Sequence, residues 1–142
     1  METYNALRER QQREVNNFPL GFAFSQEQLA AMLKKFGIKK GHEKEVVYLG
    51  AGAYCKKADL DDFKDMSKRH RKELLDASTD ENTGEAFAYE MFLSEFENHE
   101  CGYTGEFQDA LSSLGISHKM ITESKVLTEA FGRAQAKILS WA

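Results

Sequence analysis

The sequence predicts a predominantly helical α+β fold, with about five helices around a central apolar helix over residues 85–98 and one small β-hairpin over residues 45–56. Three observations carry that prediction. Residues 85–98, EAFAYEMFLSEFEN, are the first. At 100° per residue, Phe87, Ala88, Tyr89, Met91, Phe92, Leu93 and Phe96 cover an arc of about 240°. Only Glu90, Ser94 and Glu97 share the remaining face, so this helix belongs in the middle of the domain. The second is a single proline, Pro19, which leaves helices few interruptions. The third is that one stretch alone, EVVYLGAGAYCK at 45–56, has a clear β signal.

Along the chain, residues 2–17 read as a polar helix with a weak stripe at Tyr4, Leu7 and Val15, made basic by Arg8, Arg10 and Arg13. Residues 16–21, NNFPLG, break it, because Pro19 and Gly21 disfavour its continuation. Ser25 with Gln28 three residues on predicts a capping box, ahead of a buried stripe at Leu29, Met32, Leu33 and Phe36. Gly37 stands where such a helix ends, and residues 38–44 form a basic loop. Val46 to Leu49 favour a strand, Gly50-Ala51-Gly52 a turn, and Ala53 to Cys55 a returning strand.

Asp59 is the expected cap of a helix over 60–77, with Asp62 at its third position and Leu60, Phe63, Met66, His70 and Leu74 along its buried edge. The KRHRK run at 68–72 suits the negative C-terminal end of that helix; phosphate contact is the alternative. Asn82 or Thr83 caps the central helix. NHECGYTG at 98–105 reads as an aromatic turn bracketed by Gly102 and Gly105. A short helix over 106–114 ends at Gly115, and Ser117 opens a turn. A last helix over 124–140 is expected to bury Leu127, Phe131, Ala134, Ile138 and Trp141.

At 142 residues the chain is expected to form one domain, 1–142. Apolar content of 42% and ten phenylalanines argue against disorder. Cys55 and Cys101 lie far apart and match no metal spacing, so both are expected to be reduced thiols of a cytoplasmic protein. There is no signal peptide and no apolar run near the length of a membrane span.

Net charge is −4, but it is unevenly distributed. From Glu73 to His118 there is no Lys or Arg. That segment holds Glu73, Asp76, Asp80, Glu81, Glu85, Glu90, Glu95, Glu97, Glu100, Glu106 and Asp109, and so carries −11. The remainder holds all 19 basic residues and 12 acids, and carries +7. Such asymmetry implies a charged partner unless basic helices fold against the acidic ones and cancel it.

Enzyme signatures are thin. Gly50-Ala51-Gly52 lacks the third glycine of a dinucleotide loop, and no phosphate-loop lysine, GxSxG, HExxH or CxxC pattern is present. Glu95 falls inside the apolar arc of the central helix, where a carboxylate must be protonated, paired or at a pocket mouth. Its stem is buried with its head at the solvent edge, or it pairs with His99 one turn on. A metal or hydrolytic site at Glu95 and His99, with Cys101 nearby, is the least supported reading. No cofactor, no metal and no catalytic residue is expected.

The runs NALRERQQREVNNFPLGFAFSQEQLAAMLKKFGI, YLGAGAYCKKAD, FKDMSKRHRKELLDA and above all TGEAFAYEMFLSEFENHECGYTG resemble a family of small accessory proteins. Phages, plasmids and other mobile elements of gut Firmicutes carry that family. Its pattern in the central run is close to TGEGFIYEMFLYELANHEYGYTG, so Cys101 stands where the family has a tyrosine, which counts against a catalytic or metal role for that thiol. The resemblance implies no activity and no catalytic residues. It implies a setting, accessory genes of mobile elements, many of which disarm host defences. Together with the charge it leads to the expectation of a non-enzymatic binding protein, most concretely an anti-CRISPR inhibitor of guide-loaded Cas9 acting as an acidic DNA mimic. The partner-binding residues expected are Asp80, Glu81, Glu90, Glu97, Glu100, Glu106 and Asp109. The alternative is a nucleic-acid-binding accessory protein using the basic faces of the first and third helices.

Overall fold

A computed structural model describes residues 2–141. Among them are eight α-helices and three strands: α1 (Tyr4–Asn17), β1 (Leu20–Phe22), α2 (Gln26–Lys35), β2 (Val46–Gly50), β3 (Ala53–Lys56), α3 (Leu60–Thr79), α4 (Gly84–Asn98), α5 (Cys101–Thr104), α6 (Gln108–Leu114), α7 (His118–Glu123) and α8 (Lys125–Leu139). The fold is thus α+β and predominantly helical. Contacts divide the chain into two compact units. One comprises the N-terminal stretch through Arg10 with the chain from Arg71 onward; the other is Gln11–His70.

The Gln11–His70 unit contains the sheet. β1 and β2 both pair antiparallel with β3, giving the order β1-β3-β2. The hairpin turn places Gly50, Ala51 and Gly52 at positive φ, which two glycines adopt without strain. Gly52 has a second reason to lack a side chain: a Cβ there would lie 2.2 Å from the Phe24 ring. α2 starts and stops as its sequence signals. Ser25 Oγ accepts from the Gln28 N–H at 3.2 Å, while the Gln28 side chain reaches back to the Phe24 N–H at 2.8 Å. At the other end the Ile38 N–H donates to Leu33 and the Gly37 N–H to Lys34, the Schellman pattern, with Gly37 at φ +74°. Cys55 is fully buried in this unit, and burial raises its thiol pKa.

The other unit is built on α4, which packs most extensively against α8. Phe87, Ala88, Met91, Phe92 and Phe96 are buried, as the wide apolar arc requires. Phe92, Phe96, Phe107 and Phe131 form an aromatic cluster with ring centroids 4.8–6.2 Å apart, mostly edge to face. Ser117 and Ser124 cap α7 and α8 by accepting from Met120 and Leu127 N–H groups. Gly102 lets α5 close onto the end of α8: a Cβ there would sit 2.6 Å from the Ile138 carbonyl.

Several expectations are corrected. The hairpin is part of a three-stranded sheet, because Leu20–Phe22 adds a strand. Three residues around a glycine carry almost no β signal; Gly21 is there because Met32 and Phe36 lie over it, 2.5 and 2.9 Å from where a Cβ would stand. The turn opened by Ser117 continues into α7. α3 is entered from a 3₁₀ turn that ends at Asp59, and it runs to Thr79. The KRHRK run therefore lies in the middle of the helix, so the end dipole does not explain it. Local pairing does: Arg69 grips Glu14, and Lys72 holds Asp76 at 2.6 Å. The cap of α4 is Thr83, but the side chain that organises the turn is Asp80. Trp141 falls just beyond α8 and is 52% exposed rather than buried. No helix among the described residues is long and apolar enough to cross a membrane.

Truncating Phe96→Ala, which touches three other rings of the cluster, is expected to cost about 3–5 kcal/mol in urea unfolding. Tyr103→Ala removes a ring that is 92% exposed and should change stability by no more than about 0.5 kcal/mol.

Candidate functional site

Glu95 is the one acidic residue buried among the described residues, at 6% exposure. Its position on α4 is dictated by the helix period, which places it among phenylalanines. α1 brings the donors. Tyr4 and Arg8 are one turn apart on the same face, and both reach Glu95 Oε1 at 2.9 Å. Glu95 Oε2 lies 3.3 Å from the Ser113 hydroxyl of α6 and 3.7 Å from His99 Nε2 at the end of α4. Ser113 has one proton to give, and its shorter contact, 2.7 Å, is to the Ala110 carbonyl. The firm donors to Glu95 are therefore Tyr4 and Arg8. Burial, with the hydrogen bond to Glu95 and its negative charge, drives the Tyr4 phenol well above its usual pKa. No third His, Cys, Asp or Glu among the described residues joins Glu95 and His99 in a group that could hold a metal. Cys101 is fully buried, and burial raises its thiol pKa. The arrangement ties α1 to α4 through one oxygen of a buried carboxylate.

The Glu95 head is buried rather than at the solvent edge, which corrects the first of the two readings. The pairing with His99 is present but long, and the shorter partners were missed. The available signal was that a carboxylate inside an apolar arc needs donors, and that Tyr4 and Arg8 share a helical face.

The eleven acids of the 73–118 segment separate into two sets. Basic residues neutralise four of them. Arg10 holds Glu73 at 2.7 Å, Lys72 holds Asp76, Arg133 holds Glu85 while stacking on Tyr89 at 4.5 Å, and Arg8 holds Glu95. The remaining seven are Asp80, Glu81, Glu90, Glu97, Glu100, Glu106 and Asp109. Among the described residues, none of these seven has an ion-pair partner. Two of them have local work. Asp80 accepts from the Thr83 and Asn82 N–H groups at 2.9 Å and from the Thr83 hydroxyl, which lowers its pKa. Glu90 is half-buried and accepts from the Asn5 N–H at 3.3 Å. Glu81, Glu97, Glu100, Glu106 and Asp109 are exposed.

These carboxylates do not make one continuous strip. Asp80 and Glu81 precede the first turn of α4, whereas Glu97 and Glu100 lie at its last turn and beyond, with Glu106 and Asp109 following. A fifteen-residue helix separates the two ends by roughly 22 Å. Of the eight basic residues on α1 and α3, four, Arg8, Arg10, Arg69 and Lys72, hold carboxylates.

The chain is thus a small helical α+β protein with a buried, internally paired carboxylate and an incompletely neutralised acidic surface. It belongs to a family of unknown function, DUF7659, which matches residues 3–137. No curated protein and no solved structure matches the chain.

Glu95→Leu leaves the buried Tyr4 hydroxyl without its acceptor and is expected to cost about 1–3 kcal/mol. Tyr4→Phe combined with it should cost less than the two singles together in a double-mutant cycle. Because folding raises the Tyr4 pKa, its contribution is complete below about pH 10 and is lost as pH rises beyond that. One of the five tyrosines should resist ionisation in an ultraviolet titration until the protein unfolds, and Tyr4→Phe should remove that delayed step.

Proposed function

We propose that this chain is a non-enzymatic binding protein whose acidic surface occupies a basic nucleic-acid groove on a protein partner. The observation that carries the proposal is the set of seven carboxylates without ion pairs in a chain that neutralises four neighbours carefully. The division into units supports it. The unit that contains α4 has 8 basic and 15 acidic residues, a net −7, whereas Gln11–His70 has 11 basic and 8 acidic, a net +3. A surface of one sign raises the local concentration of an oppositely charged partner and accelerates encounter. No covalent chemistry is required for such a role.

The most concrete partner is guide-loaded Cas9 in a bacterial cytosol. It presents a positively charged channel and arginines that read the short duplex motif beside the target. Carboxylates spaced over roughly 20 Å (the length of α4) could stand in for phosphates there. The mobile-element setting implied by the family resemblance supplies the reason for a counter-defence role.

On gel filtration with guide-loaded Cas9, the protein is expected to co-elute, and target DNA bound beforehand should abolish co-elution. Reversing Glu97, Glu106 and Asp109 together to Lys should lose binding while leaving the circular dichroism melt within a few degrees. Unchanged binding by that variant would sink the mimicry proposal, and absence of co-elution in both conditions would remove Cas9 as the partner.

A further inference from the structure

Beyond the charge itself, an open cleft of about 430 Å³ lies where α4, α5 and α8 meet. Phe96 and Ile138 form its apolar floor, and Glu97, Glu100, Tyr103 and Trp141 form its walls. We propose that this cleft binds an arginine side chain of a protein partner. The inference rests on the acidic-surface reading above and assigns its anchor point.

Four features of the cleft point to a guanidinium rather than to an apolar group. Glu97 and Glu100 have no ion-pair partner among the described residues, so two carboxylates face the cleft with their charge uncompensated. The C-terminal ends of α4 and α8 both border it, through Glu97 and through Ile138 and Trp141. The α4 end adds partial negative charge from its last carbonyls with no basic residue in its last turn to offset it, whereas the α8 end carries Lys137 in its last turn. Tyr103 is 92% exposed and lines the same cleft, so its ring is open to a partner. Trp141 already carries a cation of its own chain, the Lys137 ammonium, 5.7 Å from the ring centroid.

Arginine fits this set better than lysine. Its planar guanidinium stacks on an aromatic face and donates in a fork to a carboxylate at the same time, and it is the more weakly hydrated cation. The geometry of the cleft is fixed by the backbone. Gly102 brings α5 against the Ile138 carbonyl, and Glu100 holds a left-handed conformation at φ +54° that turns the chain between α4 and α5. Tyr103 and Glu100 are thereby presented on a short, pinned turn rather than on a free loop.

Trp141 is the only tryptophan, so its emission reports on the cleft directly. The experiment titrates the full chain with a blocked peptide of sequence GRGRG and with the same peptide carrying citrulline in place of arginine, an isosteric side chain without the charge. The arginine peptide is expected to change Trp141 emission saturably, and the citrulline peptide to bind at least about tenfold more weakly. Tyr103→Ala, and separately Glu97→Gln with Glu100→Gln, should each weaken arginine-peptide binding by about tenfold. Glu106→Gln with Asp109→Gln should leave it within about twofold. Equal response to both peptides, no response, or binding unchanged by Tyr103→Ala would overturn the proposal. Cleft binding without Cas9 co-elution would leave the cleft standing and remove that partner. Co-elution that survives Tyr103→Ala and fails in the Lys reversals would leave the acidic surface standing and remove the anchor.

Discussion

A carboxylate inside a helix that is apolar over most of its circumference must be given hydrogen-bond donors, or the helix cannot be buried. Much of this structure follows from meeting that demand at Glu95. α4 supplies the apolar arc that assembles Phe92, Phe96, Phe107 and Phe131, and the same arc carries Glu95 inward with them. α1 has little apolar surface of its own, with only Tyr4 and Leu7 buried. What fixes it to α4 is the pair of donors, Tyr4 and Arg8, that share one oxygen of Glu95. The Arg10–Glu73 pair and the Asn5–Glu90 hydrogen bond extend the same seam. These outer contacts are solvated and so contribute little each, which leaves Glu95 as the contact whose loss is felt.

That logic separates what could be read in the sequence from what could not. The central helix, the hairpin, α2 with its Ser25 cap and Gly37 stop, and α8 were legible because periodicity and capping chemistry act within a few residues. β1 was not, because a strand of three residues around Gly21 exists only through the helix that covers it and the strand that pairs with it. α7 was hidden by its brevity. The KRHRK run misled because a cluster of like charges near an assumed helix end has a ready local explanation. Its actual partners, Glu14 and Asp76, become evident only once helices are placed side by side or the helix is known to continue. Trp141 misled in the opposite way, since a tryptophan in register with a buried stripe stops being buried where the helix stops.

The charge asymmetry was visible as a run of composition, but composition does not say which acids are neutralised. The fold makes that choice residue by residue. Glu73, Asp76, Glu85 and Glu95 sit where Arg10, Lys72, Arg133 and Arg8 reach them, and Asp80 serves the turn before α4. Glu97 in the last turn of α4 and Glu100 just beyond it line a cleft with Tyr103 and Trp141, and Glu106 and Asp109 follow along the chain. An acidic surface that also carries exposed aromatic rings suits recognition of a basic protein, where steering by charge and anchoring by a buried side chain are separate contributions.

The most direct test of that account is the association rate of the protein with guide-loaded Cas9, followed across a range of ionic strength. Electrostatic steering predicts a rate that falls steeply as salt rises, and a much shallower dependence once the exposed carboxylates beyond α4 are neutralised. An association rate that is flat with salt, or no association at low salt, would contradict it.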